Sequence, residues 1–172
     1  MTVAAAPAAG REFRAIGLVT SAHFLSHFYQ LVLPPLFPIM AEVYGLSFLQ
    51  LGVIMTVASV STGLAQTPVG FLVDRIGARS LLIGGLALYA VATAGFGLTG
   101  NYWLMLVLAA LGGLGNAVFH PADFSILSAS VDKSRLGRAF SYHAVSGNLG
   151  WAAAPIVMIA LAQLFGLQAA FL

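Results

Sequence analysis

Five apolar runs, near residues 14–42, 47–73, 79–98, 102–130 and 136–165, fill almost the whole chain, and its seven Lys and Arg residues gather near their ends in every second gap. Each run reaches the roughly 20 apolar residues that cross about 30 Å of hydrocarbon at about 1.5 Å per residue. The fold expected is therefore an all-α membrane protein with five transmembrane helices. Its cations are Arg11 and Arg14, then Arg75 and Arg79, then Lys133, Arg135 and Arg138, with none near 43–47 or 99–101. Because Lys and Arg accumulate on the cytoplasmic side, the N-terminus is expected inside.

Charged residues make up only 7% of the chain and hydrophobic ones 60%. So little polar surface cannot clothe a soluble globule, which leaves the lipid bilayer as solvent. The net charge of +2 is explained by topology, and no nucleic-acid partner is expected. Zero cysteines exclude disulfides and thiolate metal sites; no metal and no cofactor are expected. Residues 1–10 lack the charged start of a signal peptide, so 1–13 read as a flexible cytoplasmic tail. Residues 167–172, Leu-Gln-Ala-Ala-Phe-Leu, read as the start of a sixth apolar segment, and the chain is expected to be a fragment of a longer protein.

Three prolines, Pro34, Pro35 and Pro38, should bend or unwind the outer end of helix 1 by removing backbone donors. Glycines such as Gly112, Gly113, Gly115, Gly147 and Gly150 permit close helix approach, since hydrophobic burial does not drive pairing in lipid. Helix 3, with only Ser80, Tyr89 and Thr93 as uncharged polar groups, is expected to face lipid. Polar residues instead form stripes at i, i+4, i+7: His23, His27 and Gln30 on helix 1, and Asn116, His120 and Asp123 on helix 4. With Pro68 late in helix 2 and Pro155 late in helix 5, helices 1–2–3 weakly match 4–5–6. Three helices per unit would invert the second copy, a pattern of secondary transporters.

The segment Gly70-Phe71-Leu72-Val73-Asp74-Arg75-Ile76-Gly77-Ala78-Arg79-Ser80-Leu81-Leu82 resembles motif A of the major facilitator superfamily, between that family's second and third helices. Gly70, Leu72, Asp74, Arg75, Gly77, Arg79 and Leu82 match, and Ala78 stands where a second basic residue is common. An acid and two cations at inner helix ends can form an ion-pair latch that differs between two bundle arrangements. As purely topogenic charges they would leave Asp74 unexplained, since acids contribute little to topology.

Gly113-Leu114-Gly115-Asn116-Ala117-Val118-Phe119-His120-Pro121, Ser146-Gly147-Asn148-Leu149-Gly150-Trp151-Ala152-Ala153-Ala154-Pro155, and His23 with Pro38 downstream resemble the fosmidomycin-resistance branch of that superfamily. His27 stands where the branch often has an aspartate, and Ala122 where it often has a glutamate. Within the helix-5 glycine/proline motif of Gly147, Asn148, Gly150 and Pro155, the Gly147, Gly150, Ala154-Pro155 arrangement also resembles a degraded form of motif C of drug/proton antiporters, with Ala154 replacing the usual glycine. The resemblance implies a major-facilitator-type N-terminal bundle over 14–172, the first part of a twelve-helix transporter.

Ionisable groups inside a membrane are costly and normally face a bundle interior, so His23, His27, His120 and Asp123, with Gln30 and Asn116, are the candidate substrate and proton-coupling residues. At about 1.5 Å per residue, His23 and His120 each lie roughly 6–8 Å on the cytoplasmic side of their helix midpoints. His143, early in helix 5, reads as interfacial or packing. Together these imply a secondary transporter of the bacterial inner membrane, coupled to protons and exporting a small amphipathic or anionic molecule. Uptake of an organic anion is the alternative, and a non-transporting scaffold is the reading if the protein ends at Leu172. A membrane metalloenzyme would draw on the same histidines but lacks the general-base glutamate of such motifs. No catalytic residue is expected.

Overall fold

Where the chain is long and apolar the computed structural model is helical; it describes residues 9–172. The tail expected over 1–13 lies outside the described residues up to Ala8, while Ala9 onward already belongs to helix. Five stretches are long and apolar enough to span a membrane: Gly10–Tyr44, Phe48–Ile76, Ala78–Gly97, Tyr102–Ser130 and Leu136–Phe165. They match the expected runs within a few residues.

Span 1 is not one helix. It runs as α1 (Ala9–Gln30), a 3-10 turn at Pro34–Leu36, and α2 (Phe37–Tyr44). Pro34 and Pro35 open the turn and Pro38 lies in the first turn of α2, positions where a missing N–H costs no helical bond. Span 2 is α3 (Phe48–Ile76) and span 3 is α4 (Ala78–Gly97). Ser47 and Gln50 cap the start of α3 reciprocally, Ser47 Oγ accepting from Gln50 N at 3.2 Å and Gln50 Oε1 from Ser47 N at 2.9 Å.

Span 4 is also broken, into α5 (Tyr102–Asn116) and α6 (Phe119–Ser130). Pro121 has no N–H to give the carbonyl of Ala117, four residues back, so the ladder lapses at 117–118. Such breaks within a membrane are tolerated where the chain is covered by protein or lines a cavity. Span 5 is α7 (Leu136–Phe165), continuous through Pro155. Residues 169–171 form a 3-10 turn in which Ala170 and Phe171 are buried.

The chain packs α1 against α7, and α5 against both α3 and α4. Helix α4 is half covered: Gly85, Ala92, Thr93 and Phe96 are buried, while Val91 is 70% exposed. Only one of its faces is turned to lipid. Leu64, Trp103 and Ile156 are each more than 70% exposed, as expected of a chain whose surroundings are hydrocarbon.

Two apolar cores lie at opposite ends of the bundle. The larger contains Val32, Leu36, Met40, Leu51, Ile54, Phe96 and Met105; the smaller contains Val19, Leu127, Val131 and Ala139. At the end nearest the smaller core the cations converge. Arg11, Arg14 and Arg79 border one cavity of about 550 Å³, and Arg135 Nη2 lies 2.7 Å from Glu12 Oε2, a charge contact without hydrogen-bond alignment. Between α6 and α7, Asp132 accepts hydrogen bonds from the Ser134 hydroxyl and N–H, which hold its carboxyl below the usual carboxylate range.

Candidate functional site

One helical turn beyond the smaller core, three helices deliver a polar side chain at the same level. Val19 is followed four residues later by His23, Ala139 by His143, and Leu127 is preceded by Asp123. His23, Asp123 and His143 are 3%, 0% and 3% exposed. The His23 and His143 rings stack with centroids 3.5 Å apart and planes at 15°. His143 Nε2 lies 3.0 Å from Asp123 Oδ2, and His23 Nδ1 lies 2.9 Å from the His143 carbonyl oxygen. That carbonyl also accepts from Ser146 Oγ at 2.7 Å.

A carbonyl oxygen only accepts, so His23 Nδ1 carries its hydrogen and Nε2 is left with the lone pair. Nε2 is buried without a hydrogen-bond partner, as are His27 Nδ1, His120 Nδ1 and Asp123 Oδ1. Leaving such a group unpaired in a dry interior costs on the order of 1–3 kcal/mol. Four such atoms lie in one layer of the bundle, and ionisable residues in such a place are candidates for function.

His27 lies one turn further along α1, its ring centroid 4.3 Å from that of His23 and 4.3 Å from that of Trp151, on which it stacks. His120, half-buried just after the break in span 4, has its centroid 5.4 Å from His23 and 6.3 Å from His27. Beyond His27, Asn116 Oδ1 accepts from Ser26 Oγ at 2.7 Å and Gln30 Nε2 at 3.4 Å. Trp151 Nε1 donates to Gln30 Oε1 at 3.2 Å.

Two glycines of α7 make room for this layer. A Cβ on Gly147 would fall 2.7 Å from both His23 Cε1 and His27 Nδ1. On Gly150 it would collide with the backbone oxygen of Phe24 and approach Phe28 N to 3.0 Å.

All six candidates from the two polar stripes therefore meet between spans 1, 4 and 5. Among them Asp123 is paired with His143, a residue outside both stripes. His143, expected to be interfacial or packing, sits at the centre, because α7 lies against α1 closely enough for its imidazole to stack on His23. The spacing His143, Gly147, Gly150 on α7 repeats the i, i+4, i+7 stripe of α1 and would have located it. Trp151 and Ser26 were also not foreseen.

The other candidates lie apart. Asn148 is exposed on α7 and Pro155 half-buried, and neither joins the histidine layer. Gly70 has open space around it. The gap expected between the second and third apolar runs, 74–78, is reduced to one residue: α3 ends at Ile76, α4 begins at Ala78, and Gly77 joins them at φ 96°, a conformation that favours glycine. Asp74 and Arg79 are exposed and, among the described residues, in no ion pair within 4.0 Å. Asp74 is in the last turn of its helix and Arg79 in the first turn of the next, each at the end where the helix dipole disfavours its charge. Local stability does not account for them.

Five spans, two of them broken by proline, around a buried layer of ionisable side chains are the make-up of a polytopic membrane protein. The sequence profile of the Major Facilitator Superfamily matches residues 19–172, and the chain belongs to that superfamily. It is 26% identical to the fosmidomycin resistance protein of Escherichia coli over 155 residues, 90% of this chain and 38% of that protein. Identity to an uncharacterized MFS-type transporter of Bacillus subtilis is 29% over 140 residues, 81% of this chain and 34% of that one. To a probable L-galactonate transporter of Escherichia coli it is 28% over 132 residues, 76% of this chain and 29% of that one. The chain thus spans about a third of the length of these curated relatives.

Proposed function

We propose that this chain forms the N-terminal bundle of a proton-coupled secondary transporter in a bacterial inner membrane, exporting a small amphipathic or anionic molecule. The observation that carries the reading is the convergence of His23, His27, His120, His143 and Asp123 within the membrane, where ionisable groups mark substrate and proton paths. Histidine ordinarily titrates near neutral pH, so an imidazole reached alternately from each side exchanges protons with both. Half-buried His120, Gln30 and Asn116 and partly exposed Trp151 form the open face of the layer. Residues of a second bundle of the same protein would close the cavity opposite them, in keeping with the greater length of the relatives. Asp74, Arg75 and Arg79, with Gly70 and Gly77, form the gating element, their exposed charges pairing with that second bundle in one state and separating in the other.

A proteoliposome assay tests the coupling. His120→Gln keeps donor and acceptor capacity but loses the titrating proton. The variant should still exchange substrate down its own gradient while failing to move it uphill when a pH gradient is imposed. Undiminished pH-driven flux would remove His120 from the coupling path. Reversing the imposed gradient separates export from the uptake of an organic anion, a second reading that the name of the L-galactonate relative supports.

A further inference from the structure

Three histidines of the layer, His23 and His27 buried and His120 half-buried, have a geometry that proton exchange alone does not require. We propose that His23, His27 and His120 bind one divalent first-row transition-metal ion, of which zinc is the best fit. Each offers one ring nitrogen, and the three nitrogens lie within 4.8 Å of one another. Each ring also carries one buried nitrogen without a hydrogen-bond partner.

The tautomer of His23 is already set for ligation. Its Nδ1 donates to the His143 carbonyl, leaving the Nε2 lone pair free; a metal-bound histidine characteristically gives its other nitrogen to a carbonyl or carboxylate in this way.

Ring spacing is the second argument. Three imidazoles on one tetrahedral ion, with metal–nitrogen bonds of about 2.0–2.1 Å, place their centroids about 5 Å apart. Here the separations are 4.3, 5.4 and 6.3 Å. Two of these bracket that spacing, and the third, between His27 and His120, must shorten when the rings turn their nitrogens onto the ion. The missing Cβ of Gly147 leaves His23 and His27 the space they occupy.

Donor chemistry selects the ion. Asp123 gives Oδ2 to His143 and is not part of the group formed by His23, His27 and His120, so the set is three neutral nitrogens, which suits zinc, copper or nickel and disfavours the oxygen-seeking magnesium and calcium. Three protein ligands leave a fourth position for water or an exchangeable ligand. The site stands independently of the direction and coupling of transport, because it is read at equilibrium with no gradient.

The experiment is a cobalt titration of the full chain, purified in detergent and stripped with a chelator. One equivalent of Co²⁺ should develop the strong visible absorption of a tetrahedral centre, and Zn²⁺ should abolish it by displacement. His23→Gln, His27→Gln and His120→Gln should each weaken binding by about tenfold or more. His143→Gln keeps the backbone carbonyl that orients His23 and should retain the centre. Absence of the cobalt spectrum in the unaltered chain would overturn the site. Binding lost in His143→Gln but kept in His120→Gln would also overturn it, moving the ion to His23, Asp123 and His143, which converge equally closely. Flux that fails while cobalt still binds would count against the transport reading and leave this site intact.

Discussion

The seam between spans 1 and 5 and the seam between spans 2 and 4 exchange places if helices 1–2–3 are matched with 4–5–6, and they are built alike. In each, one helix presents a glycine where a Cβ would collide with a backbone oxygen of its partner: Gly150 on α7 against Phe24 of α1, and Gly113 on α5 against Ala58 of α3. Their contents differ. The 2–4 seam holds no ionisable side chain at this contact; its polar groups are the hydroxyl residues Ser61, whose Cβ lies against Gly113, and Thr62, whose hydroxyl lies 3.0 Å from the carbonyl oxygens of both Ala58 and Gly113. The 1–5 seam holds His23, His27, His143 and Trp151. Small residues thus set how close two helices come, while the side chains one turn away decide whether the contact is structural or functional.

Gly147→Ala is the sharpest way to separate the two. Its Cβ would meet ring atoms of His23 and His27, which can swing aside, and no backbone atom of a neighbouring helix is among its nearest neighbours. Flux should fall by the order of 10²-fold, the cost of misplacing functional groups by about 1 Å, with the melting temperature in detergent nearly unchanged. A variant that melts early instead would make the histidine layer a packing element.

Gly150→Ala and Gly113→Ala press on backbone in both seams and should each lower stability by about 1–3 kcal/mol, as overpacking does. Parallel denaturation curves would read the two losses. A large loss for one and none for the other would break the equivalence of the seams.

Thr62→Val should cost least, about 0.6 kcal/mol, the typical worth of an interhelical hydrogen bond in a membrane. Flux should be unaffected. A transport defect at Thr62 would show that the 2–4 seam also carries function.

Much of the fold was legible without coordinates. Run length gave all five spans because helix rise and bilayer thickness fix the number of residues needed, and the prolines at 34, 35 and 38 correctly foretold the break in span 1. The break at 117–118 was not foreseen, although Pro121 explains it. Of the site, the stripes on spans 1 and 4 were readable because i, i+4, i+7 places residues on one helix face.

His143 escaped because its position depends on its neighbour. A histidine near the start of a span can equally lie at the membrane surface, and only the approach of α7 to α1 at Gly147 and Gly150 puts it on His23 and beside Asp123. Likewise the motif at 70–79 was legible as a pattern, but that it spans a single-residue link with two charges opposing their helix dipoles was not.

By itself the sequence determined the number of spans and which of their faces are polar, because these follow from run length against bilayer thickness and from local periodicity. Which polar faces meet was decided only by the tertiary structure. Helix pairing in a membrane is set by where small residues let backbones touch, and that is a property of two helices at once, carried by neither alone.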